Sequence, residues 1–254
     1  MYAEERQQAI AELVATAVRV SVNDLAERFG VTTETVRRDL SALERAGLVR
    51  RVHGGVVQGS ALSVLELAVT DRDRRNAEEK DRIARAAVDL LPDGGSVVLD
   101  AGTTTARLAN VVPSDLRLTV VTHAVPIAAR LVARPSVDLH LLPGRVRTTT
   151  QAAVGEETVE ALRRLRVDVA FLGTNGITGG HGFSTPDAGE AAVKRAIVGS
   201  ARQVVVLADA DKFGQDHVVR FAELTQVDVI VTDRRVTDAD VRVLEQAGPK
   251  VVVV

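Results

Sequence analysis

Cysteine is absent from the 254 residues. Disulfides and thiolate metal sites are therefore excluded, and a reducing compartment suits the chain. Aromatic residues make up only 2%. That is too few for a platform that stacks single-stranded nucleic acid, and it leaves the core to Val, Leu, Ile and Ala. No apolar run free of charge and glycine is long enough to span a bilayer. The opening MYAEERQQAI carries Glu4, Glu5 and Arg6 and does not read as a signal peptide. A cytoplasmic protein with no membrane partner is expected. Lysine is scarce as well: Lys80, Lys194, Lys212 and Lys250 are the only ones among 32 basic residues. Where arginine is the default cation, a lysine marks a position suited to a compact point charge. His53, His123, His140, His181 and His217 are too dispersed for a metal site, and neither metal nor cofactor is expected.

What is present is apolar material, at 46% enough for a sizeable core. The net charge of −2 and pI near 6.2 exclude a globally basic nucleic-acid coat. A local patch remains: from Glu34 to Val56, five arginines (Arg37, Arg38, Arg45, Arg50, Arg51) outnumber three acids (Glu34, Asp39, Glu44).

Residues 4–18 have the apolar spacing of an amphipathic helix, with Ile10, Leu13, Val14 and Ala17 on one face. In SVNDLAERFG, Ser21 with Asp24 predicts a capped second helix that Gly30 ends. VTTETVRRDLSALERAG predicts a third, capped by Thr32 and closed by Gly47. LVRRVHGGVVQ alternates and turns at Gly54-Gly55, a hairpin signal. Residues 1–57 are thus expected to be an α+β winged helix-turn-helix. Residues 58–80, dense in charge, read as a solvated linker. From 81 to 254 helices alternate with near-continuous apolar runs, the pattern of an α/β domain whose mostly parallel strands are covered on both faces.

TTETVRRDL opens the third helix with residues that disfavour helix, because threonine's branched Cβ loses rotamer freedom and its hydroxyl competes for the backbone. On a helical wheel Val36, Leu40 and Leu43 share one side. Glu34, Arg38, Ser41 and Arg45 lie opposite, with Thr35 and Arg37 flanking. The polar side suits a major groove, where the first residues of a recognition helix reach base edges. Arg38 fits bidentate pairing with guanine, and Thr33, Thr35 and Arg37 fit phosphates or bases. Arg50, Arg51, His53 and Gly54 lie on the hairpin, placed for the DNA backbone or minor groove. The plainer reading is a solvated face with a Glu34–Arg38 ion pair.

A second stretch, VVLDAGTTTARLA, ends a strand at Asp100, turns at Gly102 and opens a helix with Thr103, Thr104 and Thr105. Unpaired N–H groups at a helix start bind anions, and these hydroxyls add donors. A threonine cap on any helix looks alike. No Gly-Lys-Thr is present, which disfavours a nucleotide-hydrolysing loop. Further polar groups follow apolar strands: Thr122 and His123, Gly144, Thr174, Asn175 and Gly176, and Asp209. Strand C-termini of an α/β sheet are where ligands bind. Glu190 and Lys194 share a helix face, which an ordinary ion pair also explains. Lys212 follows the strand that ends at Asp209.

SVNDLAERFGVTTETVRRDLSALERAGLVRRVHGG resembles the N-terminal domain of the DeoR family of bacterial repressors, with its Thr-x-Arg-Arg-Asp-Leu helix and His-Gly-Gly wing. DAGTTT, FLGTNGI, STPDAGEAAVKRA and LADADKFG resemble that family's sensor domain, whose fold is similar to ribose-5-phosphate isomerase and glucosamine-6-phosphate deaminase. The resemblance implies a homo-oligomeric repressor of sugar-metabolism genes that binds double-stranded operator DNA and is released by a phosphorylated sugar. It implies that Thr103–Thr105 hold phosphate and that Asp100, Glu190, Lys194, Asp209 and Lys212 line the sugar pocket. Two positions depart from the family pattern: His123 stands where asparagine is usual, and Asp211 where a small hydroxyl residue is common. MYAEERQQAI and TQAAVGEETV are similar to fructose-operon repressors, which points to fructose 1-phosphate. Two other readings compete: a sugar-phosphate isomerase or deaminase with an appended DNA-binding domain, and a sugar-phosphate-binding module whose helix-turn-helix contacts only protein.

Overall fold

In a computed structural model, residues 3–16, 20–45, 48–52, 55–58 and 69–254 are described. The chain divides into two compact units, Met1–Leu65 and Glu66–Val254.

The first unit contains α1 (Ala3–Thr16), α2 (Val22–Phe29), α3 (Thr33–Arg45) and the hairpin strands β1 (Val49–Val52) and β2 (Gly55–Gln58). Local chemistry sets the helix ends. Ser21 Oγ accepts from Asp24 N at 3.1 Å, and Gly30, at φ 61°, closes α2 in the left-handed region. Thr32 Oγ1 accepts from Thr35 N at 3.2 Å at the start of α3. Ile10 and Val14 of α1, Leu25 of α2, Val36, Leu40 and Leu43 of α3, and Val49 and Val56 of the hairpin form one buried cluster. Each such side chain contributes roughly 1.5–3 kcal/mol on burial. Gly47, which was expected to close α3, and the hairpin turn at residues 53–54 lie outside the described residues.

The second unit begins with α4 (Val69–Arg74) and α5 (Ala77–Ala87). Residues 69–80 are therefore not the solvated linker that their charge density suggests; residues 59–68 lie outside the described ones. The charges here have partners. Arg107 pairs with Asp73 and, at 2.9 Å, with Asp81, while Lys80 is buried. Ile83, Ala84 and Ala87 then carry α5 onto the sheet.

After α5 come β3 (Ser96–Leu99), α6 (Thr103–Val111), β4 (Leu118–Thr122), α7 (Val125–Leu131), β5 (Val137–Leu141), β6 (Arg145–Arg147), β7 (Ala152–Val154) and α8 (Glu156–Arg163). Next are β8 (Val167–Gly173), β9 (Gly176–Thr178), β10 (Gly182–Thr185), α9 (Ala188–Ser200) and β11 (Ala201–Leu207). The unit ends with β12 (Val219–Ala222), β13 (Val229–Thr232), α10 (Asp238–Ala247) and β14 (Lys250–Val253). Seven strands form one parallel sheet in the order β14-β13-β11-β8-β3-β4-β5. Alternate residues serve opposite faces. Val97 and Leu99 pack with Ile83, Leu108, Ile127 and Leu131 of α5, α6 and α7. Val98 packs with Leu162, Ile197 and Leu244 of α8, α9 and α10. Both faces are covered, which is why the strands read as unbroken apolar runs. Two small antiparallel pieces, β6-β7 and β12-β10-β9, escape the sequence reading because strands of three or four residues carry too little periodicity.

The chain moves from β3 outward to β4 and β5, then crosses back to β8 on the other side of β3. The C-terminal ends of β3 and β8 thus flank a topological switch point, where α/β sheets hold their ligands.

Candidate DNA-reading face and effector cleft

Burial divides α3 as the wheel predicts. Val36, Leu40 and Leu43 are at most 2% exposed, whereas the side chains of Arg38, Glu34 and Arg37 are 82%, 65% and 60% exposed. Glu34 lies 3.9 Å from Arg38 and 3.7 Å from Arg37. Pairs this exposed are worth about 0–1 kcal/mol, so they hold neither arginine back from a stronger anionic partner. Thr32 is exposed, and Thr33 and Thr35 are half-buried. Ser41 donates to Arg37 O at 2.7 Å within its own helix. The side chains of Arg45, Arg50 and Arg51, and the residues His53 and Gly54, lie outside the described ones.

Asp39, between the exposed arginine pair and Leu40, turns inward. It accepts from Arg6 Nε at 2.6 Å and from Gln7 Nε2 at 2.9 Å, both on α1. The sequence reading gave Asp39 no role. Its place beside the apolar stripe was the available signal, because a carboxylate there needs a buried cation, and Arg6 supplies it.

In the second unit a cleft of about 470 Å³, counted with the solvent space at its mouth, opens over the switch point. Its lining comes from the turn after β3 (Ala101, Gly102, Thr103, Thr104), the end of β8 (Gly173, Thr174, Asn175) and α9 (Glu190, Lys194). The end of β11 adds Leu207, Ala208, Asp209 and Lys212, and α4 and α5 add Arg72 and Lys80. The first N–H groups of α6 have no partner inside the helix and face the same end of the sheet. Gly102 permits the close turn: a Cβ there would sit 3.0 Å from Thr105 Oγ1 and 3.9 Å from the Cα of Gly173.

Beneath the cleft, Asp100 is fully buried and bonded on both oxygens. Oδ2 accepts from Lys194 Nζ and, at 2.9 Å, from Gly173 N; Oδ1 lies 3.0 Å from His123 Nε2. Burial opposes the carboxylate's charge. The Lys194 ammonium and the His123 contact overcome it and hold Asp100 below the usual carboxylate range. Lys194 also donates to Gly173 O at 2.9 Å and stands 5.4 Å from the Phe221 ring centroid. His123 Nδ1 lies 2.8 Å from Ala153 O, and Ala101 N–H lies 3.2 Å from Nε2. With Nδ1 donating to Ala153, a neutral ring accepts the Ala101 N–H, and a doubly protonated ring donates to Asp100 instead. Glu190 is held in turn: Arg147 Nη1 donates to it at 2.5 Å, as does Thr150 Oγ1, both from the β6–β7 hairpin. Burial lowers the Lys80 ammonium to about 8, although Asp209 raises it.

A DeoR-like helix-turn-helix domain matches residues 6–60, and a DeoR C-terminal sensor domain matches residues 75–234. The chain belongs to the DeoR family. Among its relatives, the HTH-type transcriptional regulator GlpR of Haloferax volcanii is 37% identical over 99% of this chain and 98% of its own length. The uncharacterized HTH-type transcriptional regulator FruR of Bacillus subtilis is 35% identical, and the glycerol-3-phosphate regulon repressor of Escherichia coli K12 is 32% identical; the matches cover 92% and 90% of both chains, respectively. Among solved structures, ribose 5-phosphate isomerase A of Methanocaldococcus jannaschii matches 55% of this chain and 56% of its own, with 18% identity and a TM-score of 0.42.

Of the residues that the sequence and the DeoR resemblance single out, Gly102, Thr103, Thr104, Thr174, Asn175, Glu190, Lys194, Asp209 and Lys212 meet in the one cleft. Asp100 and His123 stand behind it. Thr105 and Thr122 serve the backbone, donating to Gly102 O at 3.0 Å and Leu99 O at 2.7 Å. Gly144 and Gly176 do not line the cleft, and each has a structural reason to be glycine. A Cβ on Gly144 would strike Thr158 Oγ1, and one on Gly176 would strike the carbonyl oxygen of Gln215. Arg72 and Lys80 line the cleft from the segment expected to be linker, and Arg147 and Thr150 brace it. For Lys80 the scarcity of lysine was a signal. For the hairpin pair no local motif was.

Asp211 does not reach into the cleft lining. It accepts from Asn76 Nδ2 at 2.7 Å and pairs with Arg235 at 3.2 Å, so it ties the α4–α5 junction to the segment after β11.

Proposed function

We propose that this DeoR-family protein is a transcriptional repressor of sugar-metabolism genes whose operator grip is released when a phosphorylated sugar occupies the cleft. One observation carries the reading: an exposed arginine face on a helix-turn-helix and a cation-lined cleft at a sheet switch point occur in one chain of this family. Thr103 and Thr104 at the start of α6 supply oriented donors for a phosphate, and Lys194 supplies a charge. Relatives of nearly equal length carry the names of regulators and repressors, which favours regulation over turnover. Glu190, doubly bonded to Arg147 and Thr150, is spoken for as a brace and is poorly placed to act as a free base. Association of copies on a two-fold operator accompanies this reading.

Fructose 1-phosphate is our first choice of ligand, on the likeness of two sequence stretches to fructose-operon repressors. A panel of fructose 1-phosphate, fructose 6-phosphate, glycerol 3-phosphate and ribose 5-phosphate, titrated into the operator complex, ranks the choice. Release at the lowest concentration by another member replaces fructose 1-phosphate.

The DNA reading has its own test. Arg38→Ala should abolish preference for the operator over unrelated duplex, since that side chain lies opposite the core. Arg51→Ala should weaken binding to all sequences and reduce the salt slope by about one. Gel shifts at several salt concentrations measure both, and unchanged specificity in Arg38→Ala removes it as the base reader.

A further inference from the structure

We propose that β5, at one edge of the large sheet, is a self-association surface: two copies of the chain pair this strand antiparallel across a two-fold axis at Leu139. The inference goes beyond the effector reading and does not depend on it. β5 ends the order β14-β13-β11-β8-β3-β4-β5, and among the described residues no strand pairs with its outer side. The ladder to β4 fixes which backbone groups face outward. Leu118 N donates to Ser136 O at 3.1 Å, and Leu142 N donates to Thr122 O at 2.9 Å. Even-numbered residues therefore bond to β4, and Leu139 and Leu141 turn their N–H and C=O groups away from the sheet. Such an edge is a template for another strand.

The strand VDLHL is its own complement. Antiparallel pairing about Leu139 sets Leu139 against its copy, Val137 against Leu141 of the second copy, and Asp138 against His140 of the second copy. Side chains alternate, so the apolar pairs share one face and the Asp138–His140 pairs the other. Exposure fits this arrangement. Leu141 is 54% exposed, and the side chains of Asp138 and His140 are 75% and 58% exposed. Those two lie 3.4 Å apart within their own strand, an exposed contact too weak to hold either from a cross-strand partner. The backbone matches as well. Leu139 exchanges hydrogen bonds with its copy, and Leu141 N–H meets the Val137 carbonyl, whose own N–H is already given to Arg134 O at 3.1 Å. A two-fold axis normal to the sheet keeps the same face upward in both copies. It brings α7, which packs on β5, beside α7 of the second copy. α7 carries an exposed stripe of Val125, Ala129 and Val132. A stable interface buries about 1,200–2,000 Å² in total, more than five-residue strands supply, and this stripe is the apolar surface that extends the pairing. The other edge, β14, has no such complement: pairing about its centre sets Lys250 against Val253 or Val254.

Analytical ultracentrifugation of the full-length protein, without DNA and over a range of micromolar concentrations, tests the surface. The wild type should associate reversibly. Leu141→Lys should raise the dissociation constant about a hundredfold, roughly tenfold for each of the two leucines that the axis buries. Asp138→Arg should weaken association, and Asp138→Arg combined with His140→Glu should restore it, because opposite charges again face each other across the axis. Val253→Lys, on the exposed β14 edge, is the control and should associate like the wild type. These side chains are exposed, so circular dichroism should show each variant folded. A wild type that stays monomeric overturns the β5 surface. So does association that Leu141→Lys leaves unchanged, a double variant no stronger than Asp138→Arg, or dissociation in Val253→Lys. None of these results bears on the effector reading, which titration of the operator complex tests on its own.

Discussion

At the scale of single residues, Asp100 and Lys80 show how burial turns charge into a design element. Asp100 has its full complement of partners, and Lys194 owes much of its position to that carboxylate. Asp100→Asn removes one half of a buried ion pair, a change that costs about 3–5 kcal/mol. Because the folded protein holds Asp100 below its unfolded pKa, its stabilisation is complete above about pH 4 and fades as the pH falls further. Urea unfolding followed by circular dichroism should show the loss at neutral pH and a shallower acid dependence in the variant. Equal stability of the two proteins at pH 7 would mean that Lys194 does not depend on Asp100. Lys80 works in the opposite sense. Its free ammonium titrates near 8, and a bound anion raises that value, so binding takes up a proton above that pH. Effector affinity should hold between about pH 7, above the second ionisation of a phosphate monoester near 6, and pH 8, and decline above that. Calorimetry in buffers of different ionisation enthalpy measures the proton uptake, and a pH-independent affinity up to pH 9 contradicts it.

Elements were legible in the sequence where pattern and chemistry agree. The first helix declares itself through the apolar spacing of Ile10, Leu13 and Val14, the next two through Ser21, Gly30 and Thr32, and the seven sheet strands through their apolar runs. The start of α6 was legible because a strand, a glycine and three threonines occur in sequence. Elements that depend on distant partners were not. α4 looks like solvated linker until Arg107, thirty-odd residues on, is seen to neutralise Asp73. The β6–β7 hairpin is too short for periodicity, and its link to Glu190 spans 40 residues. The buried Arg6–Asp39 pair is of the same kind and yields an element-scale prediction. Asp39→Ala should destabilise the α1–α3 packing by about 3–5 kcal/mol and weaken binding to all duplexes alike. Arg38→Ala, on the neighbouring exposed position, should leave stability unchanged and affect sequence preference. Thermal melts beside gel shifts separate the two, and a stable Asp39→Ala protein with intact operator binding would contradict the assignment.

For the whole molecule, family membership joins a DNA-reading unit to a sensor unit, and regulation is then a coupling free energy between operator and effector. That coupling requires the ligand to distinguish two states of the protein, and we propose that the phosphate of a sugar phosphate, held by Thr103, Thr104 and the cleft lysines, is the part that does so. Tight binding of the sugar ring alone would not serve, because the cations and helix start would be left without their anion. The deciding measurement is a titration of the preformed complex of full-length protein and operator with fructose 1-phosphate and with free fructose, for the wild type and Thr104→Val. The account predicts release by the phosphorylated form alone, and a higher concentration for release in Thr104→Val at unchanged effector-free operator affinity. Release by free fructose at equal concentration, or a Thr104→Val protein that responds like the wild type, would contradict it.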